Sequence, residues 1–299
     1  MSFPHLLLAL AVIVVWGTNF VIIKLGLGEL PPLLFATLRF IFSCLPWLFF
    51  IRRPAVPWRL MIANGVLIGF GMFGVLFIAM RHDVAPGVAS LMVQTQAFFT
   101  IALSMVLLGE RLRSYQAVGL ALCVGGLVEF FFHVDAATTT LGLILTLISG
   151  LSWAIANLIA KRAGKIDMLA FMVWSSVFAV PPLLVASLVF EGPQRIVAGL
   201  ASATWFGWAA SVWQGVGNTL FGFGAWNWLL ARYAAATISP LSLLVPVVGM
   251  ASAAVWFGEP LPPWKLAAGA LILLGLAAIT LWPRLRRDVT AEVPRPCSG

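Results

Sequence analysis

The chain has 299 residues, of which 62% are hydrophobic and 9% are charged, with a formal net charge of +8. An ordinary soluble domain carries roughly 25% charged residues, so this composition excludes a water-soluble protein and indicates an integral membrane protein. The Lys and Arg residues lie in short gaps between apolar runs, which excludes a nucleic-acid-binding face. The three cysteines form no CxxC pair and no zinc-like spacing, so neither a metal site nor a disulfide framework is predicted.

Ten apolar stretches follow one another along the chain, separated by short polar or Pro-containing breaks. A helix that crosses the hydrocarbon layer of roughly 30 Å needs about 20 mostly apolar residues. The predicted spans are 5–25, 33–51, 60–80, 84–108, 115–132, 141–160, 168–190, 204–231, 236–257 and 264–282. No Lys or Arg precedes the first stretch, and it extends well beyond a signal-peptide core, so it is interpreted as a retained span.

The distribution of basic residues predicts the orientation. Of the 18 Lys and Arg residues, 13 lie at the termini and in the even-numbered loops, four lie in the odd-numbered loops, and Arg39 lies inside a span. Because cytoplasmic loops carry the Lys/Arg excess, both termini are expected in the cytoplasm.

The two halves of the chain repeat short patterns. Trp16, Gly17, Asn19 and Lys24 recur as Trp153, Ala154, Asn157 and Lys161, and Gly109-Glu110, Tyr115 and Gly126-Leu127 recur as Gly258-Glu259, Trp264 and Gly275-Leu276. Five spans per half is an odd number, so the second half must enter the membrane in the opposite sense. We therefore predict a first repeat over 1–137, an inverted second repeat over 138–283 and a basic cytoplasmic tail over 284–299. Inverted repeats of this kind are typical of transporters.

Four sequence runs carry a family resemblance. WGTNFVIIK, the pair Arg39-Phe40, LLGERL around Glu110 and FGEPL around Glu259 resemble the EamA family of the drug/metabolite transporter superfamily, and within it the exporters of aromatic amino acids. The resemblance covers the chain to about residue 283. It implies an all-α fold of ten transmembrane helices, arranged as two inverted five-helix repeats around a central cavity in a bacterial inner membrane. It also implies outward transport of small molecules by alternating access, without an ATPase subunit.

Arg39 is the first candidate for substrate binding. An arginine at the bilayer centre costs about 2.5 kcal/mol or more, so the side chain needs a partner or water. It could meet a substrate carboxylate, or it could instead extend to the membrane surface or hold a neighbouring helix through backbone carbonyls. Span seven has no basic counterpart, so the site is expected to be asymmetric in charge.

Polar and aromatic side chains within the spans supply the other candidates. Asn and Gln can bind both a carboxylate and an ammonium group, which suits a zwitterion, although they also join helices in lipid. Gln214 forms a helical pair with Asn218. The remaining candidates for the cavity are Trp16, Asn19, Gln94, Gln96, Trp153, Asn157, Trp174, Trp213, Ser239 and Ser242. The four tryptophans could equally serve helix packing.

Glutamates and prolines supply the candidates for gates and hinges. Glu110 and Glu259 follow spans four and nine and could be matching latches, or they could simply cap the next helix. Pro181, Pro240 and Pro246 each remove a backbone donor and are expected at hinges or unwound points that face a cavity. The Gly-rich spans three and eight both contain Gly-Phe-Gly, which would let helices approach closely.

Other functional classes fit the sequence less well. A membrane-embedded enzyme would need a nucleophile with a base, or a metal cluster, and the scattered histidines provide neither, so no catalytic residue and no cofactor is predicted. A channel or a lipid or drug flippase is the closer alternative. The span interiors contain almost no Asp, Glu or His, which favours facilitated or potential-driven movement over proton exchange. The expected partners are a small-molecule substrate and the lipid bilayer; a monomer could function alone, and the oligomeric state stays open.

Overall fold

The computed structural model describes residues 1–108, 113–133, 137–164, 166–233 and 238–291, without the side chains of 108, 239–240 and 282–291. Within these ranges the chain forms helices and no strand. They are α1 (Phe3–Glu29), α2 (Pro32–Cys44), α3 (Trp58–His82), α4 (Pro86–Leu107), α5 (Ser114–Phe132), α6 (Thr140–Arg162), α7 (Met168–Glu191), α8 (Pro193–Ser202), α9 (Trp205–Arg232), α10 (Leu241–Phe257) and α11 (Pro263–Ala291).

Length and composition identify the membrane-spanning helices. Among the described residues, seven helices are long and apolar enough to cross a membrane, and the bent pair α8 and α9 raises the number to eight. The apolar helices α2 and α10 are shorter. After α2 ends at Cys44, backbone bonds of helical spacing continue to Ile51. A 3-10 turn over Ser239–Leu243 forms the beginning of α10. The all-α membrane fold is thus confirmed, and the number ten stays a prediction.

The structure adds a helix between the predicted spans seven and eight. This helix, α8, begins after Gly192 at a φ of +81° and meets α9 at a bend of 105°.

The expectation about the prolines needs correction. Pro181 and Pro182 do not unwind α7, and Pro181 is exposed on the outer surface instead of facing a cavity. Pro246 likewise lies inside continuous helix. In lipid, neighbouring groups can satisfy the carbonyls that a proline leaves free.

Contacts between helices are related by exchange of the two halves of the chain. α1 packs against α9 and α10, while α6, its equivalent in the second half, packs against α3 and α4. The equivalent helices α2 and α7, α4 and α10, and α5 and α11 also pack against each other. Exchanging the two halves therefore reproduces each of these contacts.

The contact between α5 and α11 shows this exchange at the level of residues. A Cβ atom on Gly275 would lie 2.5 Å from the carbonyl oxygen of Gly119, and one on Gly126 would lie 2.7 Å from that of Ala268. The offset of 149 residues that relates the two Gly-Glu motifs also turns Gly119 into Ala268 and Gly126 into Gly275. The two helix backbones approach so closely because glycine has no side chain at these points.

Helical regularity changes at corresponding places in the two halves. α3 contains a π-helical segment over Leu67–Gly74, and α9 contains one over Trp213–Phe221. π-helical turns are rare and often occur at functional sites. The segment in α9 supplies the polar side chains of the site described next.

Candidate functional site

Arg39 lies two turns after the start of α2, with 1% of its surface exposed. Its Nη1 donates to Oε1 of Gln214, while Nη2 lies 3.3 Å from both Oδ1 of Asn218 and Oγ1 of Thr219. The Phe73 ring covers the guanidinium at 3.6 Å from Cζ to the ring centroid. Neutral oxygen atoms of α9 and one aromatic face thus surround the buried positive charge.

No carboxylate neutralises this charge within the described ranges. The ion pairs found there are Glu129 with His133 and Glu259 with Lys265, and neither includes Arg39. The Nε atom of Arg39 is buried and has no hydrogen-bond partner. Burying an ion without an opposite charge costs free energy, and the guanidinium of Arg39 lacks such a charge among the described residues.

The cluster around Arg39 continues into α1. Nε2 of Gln214 donates to Oδ1 of Asn19 at 2.7 Å, and Nε1 of Trp16 donates to the backbone oxygen of Asn218 at 3.2 Å. Thus α1 and α2 of the first half meet α9 of the second half through side-chain amides. We call Asn19, Arg39, Gln214, Asn218 and Thr219 the Arg39 cluster.

An aromatic group borders the Arg39 cluster. The Trp16 ring lies 5.3 Å from Phe223 and 5.3 Å from Trp226, measured between centroids. An apolar aromatic surface therefore adjoins a set of hydrogen-bonding groups, as in the binding sites of amphipathic small molecules.

Asn157, one position after the residue that corresponds to Asn19 in the second Trp-to-Lys pattern, takes part in a second polar group. Its Nδ2 donates to Oε1 of Gln96 at 2.7 Å and lies 3.5 Å from Oγ1 of Thr100. Trp153, one turn away, packs against the main hydrophobic core. A groove of about 260 Å³ runs beside the end of α6. Its walls are Leu107, Ile155, Leu158, Ile159, Lys161 and Arg162.

Other predicted site residues lie elsewhere. Trp174 donates from Nε1 to the oxygen of Ile51 at 3.1 Å and packs on Trp58, so it serves helix packing away from the Arg39 cluster. Trp213 is 36% exposed. Gln94 lies half-buried in the 3-10 segment Val93–Thr95 of α4, and Ser242 is half-buried at the start of α10. The side chains of Ser239 and Pro240, and all of Glu110, lie outside the described residues.

Four residues of the site were not among the sequence candidates: Phe73, Thr219, Phe223 and Trp226. Phe223 is the central residue of the Gly-Phe-Gly motif in span eight, so the repeated motif could have pointed to it. Thr219 directly follows Asn218, but an α-helix would point the two side chains in different directions. In the π-helical segment, Gln214, Asn218 and Thr219 reach the same guanidinium.

Glutamates join the halves at one end of the bundle. We use the name Glu29 face for the end of the bundle where α1, α3, α7 and α10 end. The helices α2, α4, α6 and α9 begin at the same end. The carboxylate of Glu29 accepts from the backbone N–H groups of Thr204 at 2.9 Å and Gly207 at 3.1 Å, at the start of α9. Glu191 accepts from the N–H groups of Leu33 at 2.6 Å and Leu34 at 3.0 Å, at the start of α2.

Glu259 makes the same kind of contact. It accepts from the N–H of Gly87 at 2.9 Å, at the start of α4, and pairs with Nζ of Lys265 at 3.2 Å. Each of these three carboxylates comes from one half of the chain and caps a helix of the other half. Asp167, at the opposite end of the bundle, instead caps its own helix through Leu169 and Ala170.

A membrane-embedded helical bundle with two equivalent halves and a buried polar cluster between them is the architecture of a small-molecule transporter. The chain belongs to the EamA-like transporter family, whose profile matches residues 4–132 and again residues 140–281. The duplication predicted from the sequence motifs agrees with these two matches. As a member of this family, the protein is a multi-pass membrane protein that acts on a small-molecule substrate.

Similar proteins cover almost the whole chain. A probable amino-acid metabolite efflux pump of Salmonella typhimurium is 41% identical over 96% of this chain and 97% of its own length. The protein of the same description in Escherichia coli K12 is 38% identical over 94% and 96%. A probable terminal-alkyne amino-acid exporter of Streptantibioticus cattleyicolor is 28% identical over 89% and 90%. A crystal structure with 20% identity covers 95% of this chain and 100% of its own at a TM-score of 0.62, which shows a shared fold.

Proposed function

We propose that this protein exports small amphipathic metabolites, foremost amino acids including aromatic ones, from the bacterial cytoplasm across the inner membrane. The observation that carries the proposal is the buried Arg39 cluster beside Trp16, Phe223 and Trp226. Cationic and amide groups suit a zwitterionic head, and aromatic rings suit an apolar side chain. The relatives described as amino-acid efflux pumps and exporters support the same substrate class.

Alternating access is the mechanism we propose. The two-fold exchange of helix contacts supports two inverted repeats, which can rock around a site at their junction. The excess of basic residues on the opposite end supports a cytoplasmic position for that end and for both termini. The Glu29 face is then external, and its cross-repeat contacts mean that the present conformation is closed to the outside.

The packing favours a carrier over a channel. Asn19, Arg39 and Gln214 are all nearly inaccessible, so no continuous aqueous path passes through their positions in this conformation. A channel would need a hydrated pore or a filter along its axis. Facilitated or potential-driven transport remains our preferred coupling, because no Asp, Glu or His in the described ranges contacts the Arg39 cluster.

Counterflow in liposomes tests this function. Vesicles that contain the purified protein are loaded with unlabelled phenylalanine, and uptake of radiolabelled phenylalanine is followed; the other amino acids are then used as competitors. We expect saturable uptake that internal substrate accelerates, absent from protein-free vesicles. Flux that never saturates would identify a pore, and failure of every amino acid to be transported or to compete would exclude the proposed substrate class.

A further inference from the structure

We propose that Arg39 binds the carboxylate of the transported substrate, and that Gln214 occupies the guanidinium only until that carboxylate replaces it. This inference rests on the proposed function and assigns one part of the substrate to one side chain. It requires a substrate with a free carboxylate, whereas helix-to-helix attachment through Arg39 requires none.

The first argument is the unbalanced charge. A guanidinium has five N–H donors in a planar fork, and the described acceptors are three neutral oxygens on Gln214, Asn218 and Thr219. Nε stays buried without a partner. The neutral oxygens supply no opposite charge, whereas a carboxylate supplies one and fits the fork in a bidentate way. We therefore expect a substrate carboxylate to displace the amide oxygen of Gln214.

The second argument is that the displaced amide remains held. Nε2 of Gln214 donates to Asn19 at 2.7 Å, so the side chain keeps a partner when its oxygen leaves Arg39. The Trp16 indole is fixed by the Asn218 backbone at 3.2 Å and faces Phe223. A substrate whose carboxylate meets Arg39 can place its apolar side chain against these rings.

The decisive variant is Gln214→Glu, which keeps the length of the side chain and puts a permanent carboxylate on the guanidinium, while it exchanges the amide that donates to Asn19 for an acceptor oxygen. If the amide is a placeholder, the variant should lose transport of phenylalanine by more than about tenfold, because the internal anion occupies the site. If Arg39 serves only to join α2 and α9, the stronger ion pair should leave transport unchanged, and that result would overturn the proposal. Asn218→Asp repeats the test at Nη2.

Wild-type protein provides a measurement that does not depend on the folding of any variant. Phenylalanine should compete for labelled uptake, whereas phenylalanine amide and phenylethylamine, which lack the carboxylate, should compete at least about tenfold more weakly. Equal competition by all three would refute the carboxylate subsite and leave the exporter function intact. Absence of any phenylalanine or other amino-acid transport would instead count against the proposed function itself.

A separate set of contacts supports a second inference. We infer that Glu29, Glu191 and Glu259 form the external gate, each as a latch that must open before the site can face outward. Each carboxylate accepts from the first N–H groups of a helix in the other half, where the partial positive charge of a helix N-terminus favours an anion. Movement of one half against the other at this face breaks all three contacts together.

Further bonds on the Glu29 face join two helices within the first half. Nζ of Lys24 donates to the carbonyl oxygens of Met80 at 2.7 Å and Arg81 at 3.0 Å, and Arg81 donates to the oxygen of Leu30 at 2.9 Å. These contacts hold the ends of α1 and α3 together. Two helices of the first half are thus joined to each other at this face, and the glutamates lie at the boundary with the second half.

A single reporter cysteine can measure the gate. Ser211 is fully buried on α9, one turn below Gly207, which Glu29 binds, and just above Gln214. In a background without native cysteines, Ser211→Cys should react slowly with a membrane-impermeant thiol reagent added outside. Glu29→Gln and Glu191→Gln should each raise the rate about fivefold, and together about twenty-fold or more.

Asp167→Asn is the matched control, because Asp167 caps its own helix at the other end of the bundle. It should leave the external labelling rate unchanged. Equal labelling in the parent and in the double glutamine variant would overturn the gate. A similar increase in Asp167→Asn would also overturn it, since general loosening would then explain the effect. Should one glutamine variant not fold, Glu259→Gln provides the same measurement at the third latch.

Discussion

Replacing Gly275 by alanine should separate α5 from α11 and destabilise the protein. The new Cβ would lie 2.5 Å from the backbone oxygen of Gly119 and 3.3 Å from the backbone nitrogen of Cys123, and backbone cannot rotate away as a flexible side chain can. The two helices would have to move apart by roughly 0.5–1 Å to restore ordinary contact. Overpacking of this kind costs about 1–3 kcal/mol.

Gly125→Ala is the matched control, because it lies on α5 but its Cβ would meet only Leu271 at 3.9 Å. Both substitutions bring the same gain in helix propensity of up to about 1 kcal/mol, so the difference between the variants isolates the clash. We expect Gly275→Ala to be less stable than Gly125→Ala by about 1–3 kcal/mol in reversible unfolding by dodecyl sulfate in mixed micelles. Equal unfolding midpoints for the two variants would refute the close contact.

Three more outcomes are expected. A double-mutant cycle with Asn157→Val and Gln96→Leu should give a coupling free energy of about 0.6 kcal/mol, and at most about 1.7 kcal/mol, as such bonds do in lipid. The coupling is measured in the same unfolding assay, and a value of zero would contradict the 2.7 Å bond. Trp16→Phe keeps the aromatic contact but removes the donor to the Asn218 backbone. The half-saturating concentration of phenylalanine in counterflow should therefore rise about fivefold. An unchanged value would contradict a role of Trp16 in substrate binding. A pH-sensitive dye inside the vesicles should show no substrate-dependent change during uptake, and any stoichiometric change would establish proton coupling.

The sequence predicted the helices well and their contacts poorly. Apolar runs of membrane length mark a helix whatever surrounds it, so each predicted stretch corresponds to a helix in the described chain. The same uniform apolarity conceals which side of a helix faces its neighbours. For that reason Trp16 and Trp174 looked alike as cavity candidates, although Trp16 borders the Arg39 cluster and Trp174 donates to the backbone oxygen of Ile51.

The polar site was partly predictable. Arg39, Asn19 and Asn218 stood out because buried polar groups are expensive in lipid, and the structure brings these three together. Glu29 and Glu191 carried no such signal, since a glutamate at the end of a helix normally faces water. Their role depends on which helix of the other half begins beside them, and this is a property of the tertiary fold alone.

The π-helical segments of α3 and α9 bear on the evolution of the protein. They begin at residues 67 and 213, 146 residues apart, in equivalent helices of the two halves. A shared irregularity is more simply inherited than invented twice, so we infer that the ancestral single unit already had it. At the positions that correspond to Gln214 and Asn218, the first copy has the apolar residues Ile68 and Met72. The two amides are therefore a difference between the copies, on a backbone feature that both copies share.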